Sequence, residues 1–176
     1  MEVKPESEQR EQIEIHSEQF GITLREFGQE SIGEIFSLID RNRDHLSQFG
    51  DDTARKYKTP KSVERSITHQ KNPARLRFGI WNRENELVGS INLTPDKDNP
   101  KRGEIGYYLG GEFVGKGYMR KSLLTLCDYA LNKLGYEELY GEVSKDNLRS
   151  ANVLVKAGFK QTEIKAKTII YSLLKG

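Results

Sequence analysis

The sequence has little of several features that define whole classes of protein. One of its 176 residues is cysteine, Cys127, so the chain cannot form an internal disulfide. No stretch approaches the run of about 18 apolar residues that a membrane-spanning helix needs. The formal net charge is only +2, whereas a nucleic-acid-binding domain would show a clustered basic face. We therefore expect a cytoplasmic protein in a reducing compartment that binds neither nucleic acid nor membranes directly.

The N-terminus also lacks the apolar stretch of a secretory signal. Residues 1–14 are mostly charged or polar, and we expect them to form a disordered tail outside the fold. The remaining residues, 15–176, fit one domain of ordinary size and contain no internal repeat or linker. Their apolar residues fall in short periodic runs, which indicates a packed core.

Hydrophobic periodicity predicts both strands and helices. Alternating apolar residues predict strands near 22–27, 76–80, 87–93, 104–109, 139–143 and 169–173. Helical spacing or capping signals predict helices over 32–39, from Thr59-Pro60 onward, from Gly117 to Gly135, and over 147–157. The apolar stripe of the third helix includes Leu134. Only the second half alternates strand, helix and strand. The fold class is therefore α/β (α+β), with a mixed, mostly antiparallel central sheet flanked by helices.

A glycine-rich turn, Val114–Arg120, precedes the longest predicted helix. The first turn of a helix presents backbone amides without intrahelical partners, and its dipole favours an anion. Gly115 and Gly117 allow a phosphate to approach the backbone, while Lys116 and Arg120 add positive charge. From these residues alone, an ordinary turn before a helix remains the alternative. The spacing matches neither a P-loop nor a dinucleotide-binding fingerprint.

Two stretches of the chain, in this order, resemble consecutive motifs of the GNAT superfamily of N-acetyltransferases. The first is Glu104–Arg120 with the helix that follows it, and the second is Asn147–Phe159, which opens with Asn-Leu-Arg-Ser-Ala-Asn and ends in Lys-Ala-Gly-Phe. The likeness covers about residues 22–174. Leu24-Arg25 on the first strand and Asn42–Leu46 after the first helix resemble the ribosomal-protein N-acetyltransferase branch, the RimJ/RimL type.

This resemblance implies the GNAT fold, in which two parallel strands, here 104–109 and 139–143, splay apart into a V. It also implies acetyl-CoA as cosubstrate and direct attack by an amine in a ternary complex. We expect no metal, because no cluster of histidine, cysteine or carboxylate has the spacing of metal ligands. The resemblance places these residues at the cofactor: Tyr108, Leu109, Val114, Gly115, Lys116, Gly117, Tyr118, Met119, Arg120, Asn147, Ser150 and Asn152.

The sequence departs from the family pattern at two positions. Glu112 occupies a place that is often glutamine or arginine, and an acid beside a diphosphate is unfavourable unless its side chain points away. Leu154 stands where many members place the tyrosine that reprotonates the departing thiolate. The usual general acid is therefore missing from that position.

Acetyl transfer needs a base, a donor to the developing oxyanion and a proton for the thiolate. The resemblance implies the backbone amide of Leu109 as the oxyanion donor. Glu104 is the candidate base, although a solvent-facing strand carboxylate is an equally good interpretation. Ser150 is the candidate acid, and its alternative is a first-turn serine bonded to the local backbone. Acids between residues 40 and 52 could hold a cationic amine or form a solvated loop.

The acceptor stays open at this point. The branch resemblance favours a protein N-terminal α-amine, which could be that of a ribosomal protein, over a small amine such as a polyamine or an antibiotic. Because one scaffold serves many acceptors, the resemblance carries limited weight on this question. A non-catalytic CoA-binding module is the third possibility, since the usual tyrosine is missing. The sequence is compatible with a homodimer.

Overall fold

The structure, a computed structural model, describes residues 10–176. Residues 1–9 of the predicted tail lie outside the described residues. Ile13, from the end of that tail, already contacts the domain: its backbone amide donates to the Glu26 carboxylate at 3.0 Å, and its carbonyl accepts from the Glu26 amide at 2.9 Å. The first described residues therefore lie along the sheet.

The described residues form one sheet and six α-helices. The strands are β1 (Glu14–Ser17), β2 (Ile22–Glu26), β3 (Leu76–Trp81), β4 (Leu87–Pro95), β5 (Arg102–Leu109), β6 (Glu138–Ser144), β7 (Lys160–Ile164) and β8 (Thr168–Leu174). The helices are α1 (Ile32–Asp40), α2 (Arg43–Leu46), α3 (Thr53–Lys56), α4 (Pro60–Thr68), α5 (Tyr118–Asn132) and α6 (Leu148–Lys156).

The strands lie in the order β1-β2-β3-β4-β5-β6-β8-β7, and every neighbouring pair is antiparallel except β5 and β6. The parallel pair is joined by a crossover through α5, as a parallel connection requires. The predicted fold class, a mixed and mostly antiparallel sheet flanked by helices, is confirmed.

The helices divide between the two faces of the sheet. Gly103 faces Tyr136 just after α5, and Gly141 faces Leu154 of α6, so these two helices cover the same face. The side chain of Arg77 points to the other face of the sheet, where it donates to the backbone carbonyl of Ser66 in α4 at 3.0 Å. The segment from α1 to α4 therefore covers the other face, and a continuous core fills both layers.

Local signals account for most of the element boundaries. The predicted cap at Thr59 is confirmed, because its hydroxyl accepts from the Ser62 amide and Pro60 begins α4. The predicted position of Leu134 in the apolar stripe of α5 is wrong. The helix ends at Asn132, Gly135 takes a left-handed conformation, and Leu134 lies exposed.

Four short elements have no counterpart among the definite predictions: β1, α2, α3 and β7. Each has four or five residues, too few for a periodic pattern to stand out. The two strands are also edges of the sheet, where residues alternate weakly or not at all between buried and exposed. No helix of residues 10–176 is long and apolar enough to cross a membrane.

Candidate functional site

The parallel pairing of β5 and β6 ends early and leaves an opening between the strands. The strands pair only from Arg102 opposite Glu138 to Glu104 opposite Tyr140. Beyond that point β5 stays paired with β4 as far as Leu109, and β6 stays paired with β8 as far as Ser144. Each strand thus keeps one neighbour while its other edge borders the opening.

The register decides which backbone groups of β5 face this opening. Leu109 lies opposite Gly89, and the amide of Gly110 donates to the carbonyl of Val88 at 2.9 Å. In an antiparallel ladder this makes Leu109 part of a non-hydrogen-bonded pair, so its own amide and carbonyl point away from β4 and toward the opening. The backbone amide and carbonyl of Tyr107, two residues earlier, also point toward the opening, whereas the backbone groups of Tyr108 bond to β4. The amide of Leu109 therefore has the orientation that an oxyanion donor requires.

Two cavities meet in this region. The first has a volume of about 410 Å³ and lies beside the glycine turn. The second, of about 350 Å³, lies between β5 and β6. Six residues line both cavities and mark their junction: Gln48, Phe49, Asp51, Tyr107, Asn147 and Ser150.

Most of the predicted cofactor residues come together at the first cavity. Its lining includes Tyr108, Leu109, Val114, Gly115, Gly117, Tyr118, Met119, Arg120, Asn147, Ser150 and Asn152. Lys116 does not line it, because its Nζ lies 5.6 Å from the centre of the Phe113 ring. Glu104 lines neither of the two cavities.

The glycine turn has the shape of an anion cradle. Gly115 and Gly117 have φ angles of 81° and 82°, a left-handed conformation that favours glycine. A Cβ added to Gly115 would meet nothing within 4 Å, so the space above the turn is open. The Lys121 amide donates to the Gly117 carbonyl at 3.1 Å as α5 begins. The amides of Tyr118 to Arg120 precede this bond and are left for a ligand.

The acid next to this turn is neutralised. The Glu112 carboxylate accepts from Arg41 Nε at 2.7 Å. Partial burial is the largest single influence on the Glu112 pKa and raises it, but hydrogen bonds from Arg41, the Glu112 backbone amide and Asn42, with the charge of Arg41, together lower the pKa. The side chain is therefore turned to the α1 segment, which resolves the unfavourable charge that the sequence presents. The adjacent Gly111 amide donates to the Asn42 side chain at 2.7 Å and ties the same two segments together.

A tyrosine that sequence reasoning missed lies at the junction. The Tyr107 hydroxyl lies 2.8 Å from Ser150 Oγ, and burial raises its pKa to about 12, so it is a neutral proton donor. The Asn147 side chain caps α6 by accepting from the Ser150 amide at 3.1 Å. The serine hydroxyl thus bonds to a phenol instead of capping its own helix. Strand alternation was the available signal, because it places Tyr107 on the face that α6 covers.

The buried position of Leu154 explains the second departure from the family pattern. Leu154 is fully buried, and its Cδ1 would lie 3.1 Å from a Cβ on Gly141, the first β6 residue beyond the paired segment. It fills the space where the two strands begin to diverge. The phenol beside the cavities comes instead from Tyr107 on β5.

Glu104 lies on the face opposite α6 and is the last residue of β5 that pairs with β6. Its side chain keeps contact with solvent, but partial burial raises its pKa, and the nearby Glu142 carboxylate adds to this rise. Glu142 lines the second cavity and is held by Lys165 Nζ at 3.1 Å and by the Thr168 hydroxyl. A carboxylate whose pKa is raised binds a proton more readily than an ordinary carboxylate, which is a property of a general base.

Of the loop acids, Asp51 alone lines both cavities. Asp40 is bonded to Arg43 at 2.8 Å, and Asp52 pairs with Arg55 and Lys56. The bond from Lys56 is the main cause of the lowered pKa of Asp52. These two acids therefore serve the loop itself.

Phe49 is a strained residue at the junction. Its φ and ψ of 57° and 24° lie in the left-handed region, which is costly for a side chain of this size. The side chain is 50% exposed, so core packing does not offset that cost. Strain held at a cavity mouth is a feature of functional positions.

Comparison with known proteins agrees with this geometry. The sequence profile of the acetyltransferase (GNAT) domain matches residues 21–160. The probable N-acetyltransferase YjcK of Bacillus subtilis (strain 168) is 30% identical over 142 residues, which cover 77% of this chain and 78% of that protein.

Two solved structures share the fold. RimL, a ribosomal L7/L12 α-N-protein acetyltransferase solved with coenzyme A, has a TM-score of 0.79 at 20% identity, over 92% of this chain and 98% of that one. The aminoglycoside acetyltransferase AAC(6')-Ib, solved with coenzyme A and kanamycin, has a TM-score of 0.74 at 17% identity, over 88% and 95%. These neighbours differ in acceptor, so the fold does not identify it. Within residues 10–176, no group of three or more histidines, cysteines and acids could hold a metal ion.

The glycine turn generates a direct prediction. Asparagine and aspartate both tolerate the left-handed conformation of Gly117, and an added Cβ would come no closer than 3.8 Å to Lys121. Gly117→Asp should therefore weaken coenzyme A binding at least tenfold more than Gly117→Asn, because only the aspartate repels the pyrophosphate. Isothermal titration calorimetry measures both affinities. Equal affinities of the two variants would remove the pyrophosphate from this turn.

Proposed function

The chain belongs to the GNAT family and is an acetyl-CoA-dependent N-acetyltransferase, and from this premise we propose that its acceptor is the N-terminal α-amine of a protein. The observation that carries the proposal is the second cavity. It is open to solvent, is large enough for the first residues of a chain, and joins the first cavity at the Tyr107–Ser150 pair. The shared fold with RimL supports it.

A small cationic amine is the second candidate acceptor. Asp51 and Glu142 line the second cavity, and their carboxylates favour a positively charged ligand. Lys165 already neutralises Glu142, however, and the Asp51 carboxylate accepts from the Thr53 amide at 2.7 Å. We therefore rank the small amine below the protein N-terminus.

In the proposed mechanism, each residue has one task. Glu104 accepts a proton from the attacking amine through water, since it lies on β5 but outside both cavities. The Leu109 amide donates to the oxygen on which negative charge develops. Tyr107 and Ser150 pass a proton to the departing thiolate, which has an ordinary thiol pKa of about 8.5 and needs little help. Positioning of the two substrates supplies much of the remaining rate.

An acceptor panel tests this proposal. We expect peptides with a free N-terminal amine to have a kcat/KM at least tenfold above those of spermidine and an aminoglycoside. Thiol release from acetyl-CoA measures the rate, and peptides with a blocked N-terminus but a free lysine are the matched control. Turnover confined to the small amines, or to the lysine of the blocked peptides, would contradict the proposal.

The raised pKa of Glu104 predicts a pH dependence. Glu104 acts as a base only when ionised, so activity should fall as pH drops through its pKa, which lies above the ordinary 4.5. Glu104→Gln should lower kcat/KM at neutral pH by about 100-fold or more and remove this acidic limb. Glu163→Gln, at an exposed position on the edge strand β7, is the control. A Glu104→Gln profile that matches the wild type would make Glu104 a bystander.

The strain at Phe49 predicts that activity and stability respond differently. Phe49→Gly removes an exposed ring and suits the left-handed backbone, so the free energy of unfolding should change by less than about 1 kcal/mol. The kcat/KM should fall at least tenfold, because the ring borders both cavities. Asn85→Gly is the matched control: Asn85 has a φ of 58° and is exposed in the β3–β4 turn. Unchanged kinetics of Phe49→Gly would show that the strain has no role in turnover.

A further inference from the structure

A third cavity lies apart from the two that form the active site. Its volume is about 220 Å³, and it shares no lining residue with either of them. It forms where the end of β2, the end of α4 and the start of β3 come together. Its lining consists of Arg10, Glu26, Phe27, Ile67, Gln70, Pro73, Arg75 and Arg77.

Arg75 is the unusual residue of this cavity. Its Nε atom is shut off from solvent and has no hydrogen-bond partner among residues 10–176. Burial lowers the pKa of the Arg75 guanidinium, and the adjacent positive charge of Arg77 lowers it further, while the weaker influence of the Glu104 carboxylate does not offset these two effects. A partly buried cation next to a second cation is unfavourable unless an anion joins them. The arrangement therefore points to a negatively charged ligand.

Arg77 is held rigidly beside it. Its Nη1 donates to the Ser66 carbonyl at 3.0 Å and contacts the Ser66 hydroxyl at 3.2 Å, while its Nη2 lies 3.4 Å from the Tyr57 hydroxyl. The guanidinium also lies 5.9 Å from the centre of the Phe27 ring. A cation fixed in this way is already organised for binding and loses little side-chain entropy when an anion arrives.

The loop that carries Arg75 is fixed as well. The Gln70 side chain donates to the carbonyls of Asn72 and Arg75, both at 2.7 Å. This closes residues 70–75 into a compact turn at the edge of the cavity. The cavity is therefore a built feature of the fold and not a gap between surface side chains.

The acid that lines the cavity does not neutralise Arg75 and Arg77. Glu26 is engaged by Arg10 at 2.5 Å and by the Ile13 amide at 3.0 Å. With three arginines and one glutamate in the lining, two positive charges remain. Guanidinium groups match the planar geometry of carboxylates and the oxygens of phosphates.

We propose that this third cavity is a binding site for a compact oxyanion, a phosphate or carboxylate group, held by Arg75 and Arg77. The anion would balance the charge of the Arg75 guanidinium, whose Nε atom has no acceptor among the described residues. The group could belong to a free small anion or to an acidic side chain near the N-terminus of the acceptor. Only the second of these sources rests on the proposed function.

The sign of a stability change tests the site. In a chloride buffer, Arg75→Gln should be as stable as the wild type or more stable, because it removes an unpaired cation. Inorganic phosphate, titrated at constant ionic strength, should raise the melting temperature of the wild type saturably by about 3 °C more than that of Arg75→Gln. Saturating coenzyme A is present throughout, so that the glycine turn is not the site measured. Arg65→Gln, an exposed position on α4, should behave like the wild type.

Two outcomes would overturn the proposal. An equal phosphate shift in Arg75→Gln would show only the general stabilisation that phosphate gives to proteins. A loss of stability of Arg75→Gln in chloride would show that Arg75 serves the fold. These measurements need no acetyl transfer, so they stand even if the proposed acceptor is wrong.

A kinetic comparison then separates the two sources of the anion. Acceptor peptides with glutamate or glutamine at the second or third residue are compared in the wild type and in Arg75→Gln. A preference for glutamate that disappears in Arg75→Gln assigns the anion to the acceptor. A phosphate shift without such a preference assigns the site to a free anion.

Discussion

The early end of the parallel pairing between β5 and β6 is the constraint on which the site depends. After Glu104 and Tyr140 the two strands have no bonds to each other, while β4 and β8 hold their outer edges. Backbone groups at the inner edges must find partners elsewhere, because unpaired groups away from water are costly. The two cavities meet at this opening, and the Leu109 amide faces it. Cofactor and acceptor can thus approach one point from different sides.

Neighbouring segments are held to this opening by side-chain hydrogen bonds, one of which also neutralises a charge. Asn42 and Arg41 bind Gly111 and Glu112, so the loop that carries Phe49 is coupled to the start of the glycine turn. Arg120 reaches from the first turn of α5 to the Lys156 carbonyl at the end of α6, at 3.1 Å. The turn, the loop and α6 are therefore held as one frame around the cavities. Such a frame favours a preorganised site, in which binding energy is not spent on ordering loops.

Sequence reasoning succeeded where a local signal was strong. The turn at Val114–Arg120 and the cap at Thr59 are set by residues next to each other in the chain, so their residue types predict them. The splayed sheet was predicted from the family motifs. It failed where residues far apart in the chain decide the outcome. The Tyr107–Ser150 pair spans 43 positions, and the Arg41–Glu112 pair spans 71. The strain at Phe49 is invisible in sequence, because no residue type announces a left-handed backbone except glycine and asparagine.

Hydrogen exchange on binding of acetyl-CoA tests the central claim most directly, since it reports on individual backbone amides. If the inner edge of β5 and the glycine turn hold the cofactor, the amides of Tyr107, Leu109 and 115–120 should exchange at least tenfold more slowly in the complex. The amides of Gly106 and Tyr108 already bond to β4 and should change less, and those of the distant edge strand β1 should not change. Saturating acetyl-CoA that leaves Leu109 and 115–120 unprotected would contradict the account.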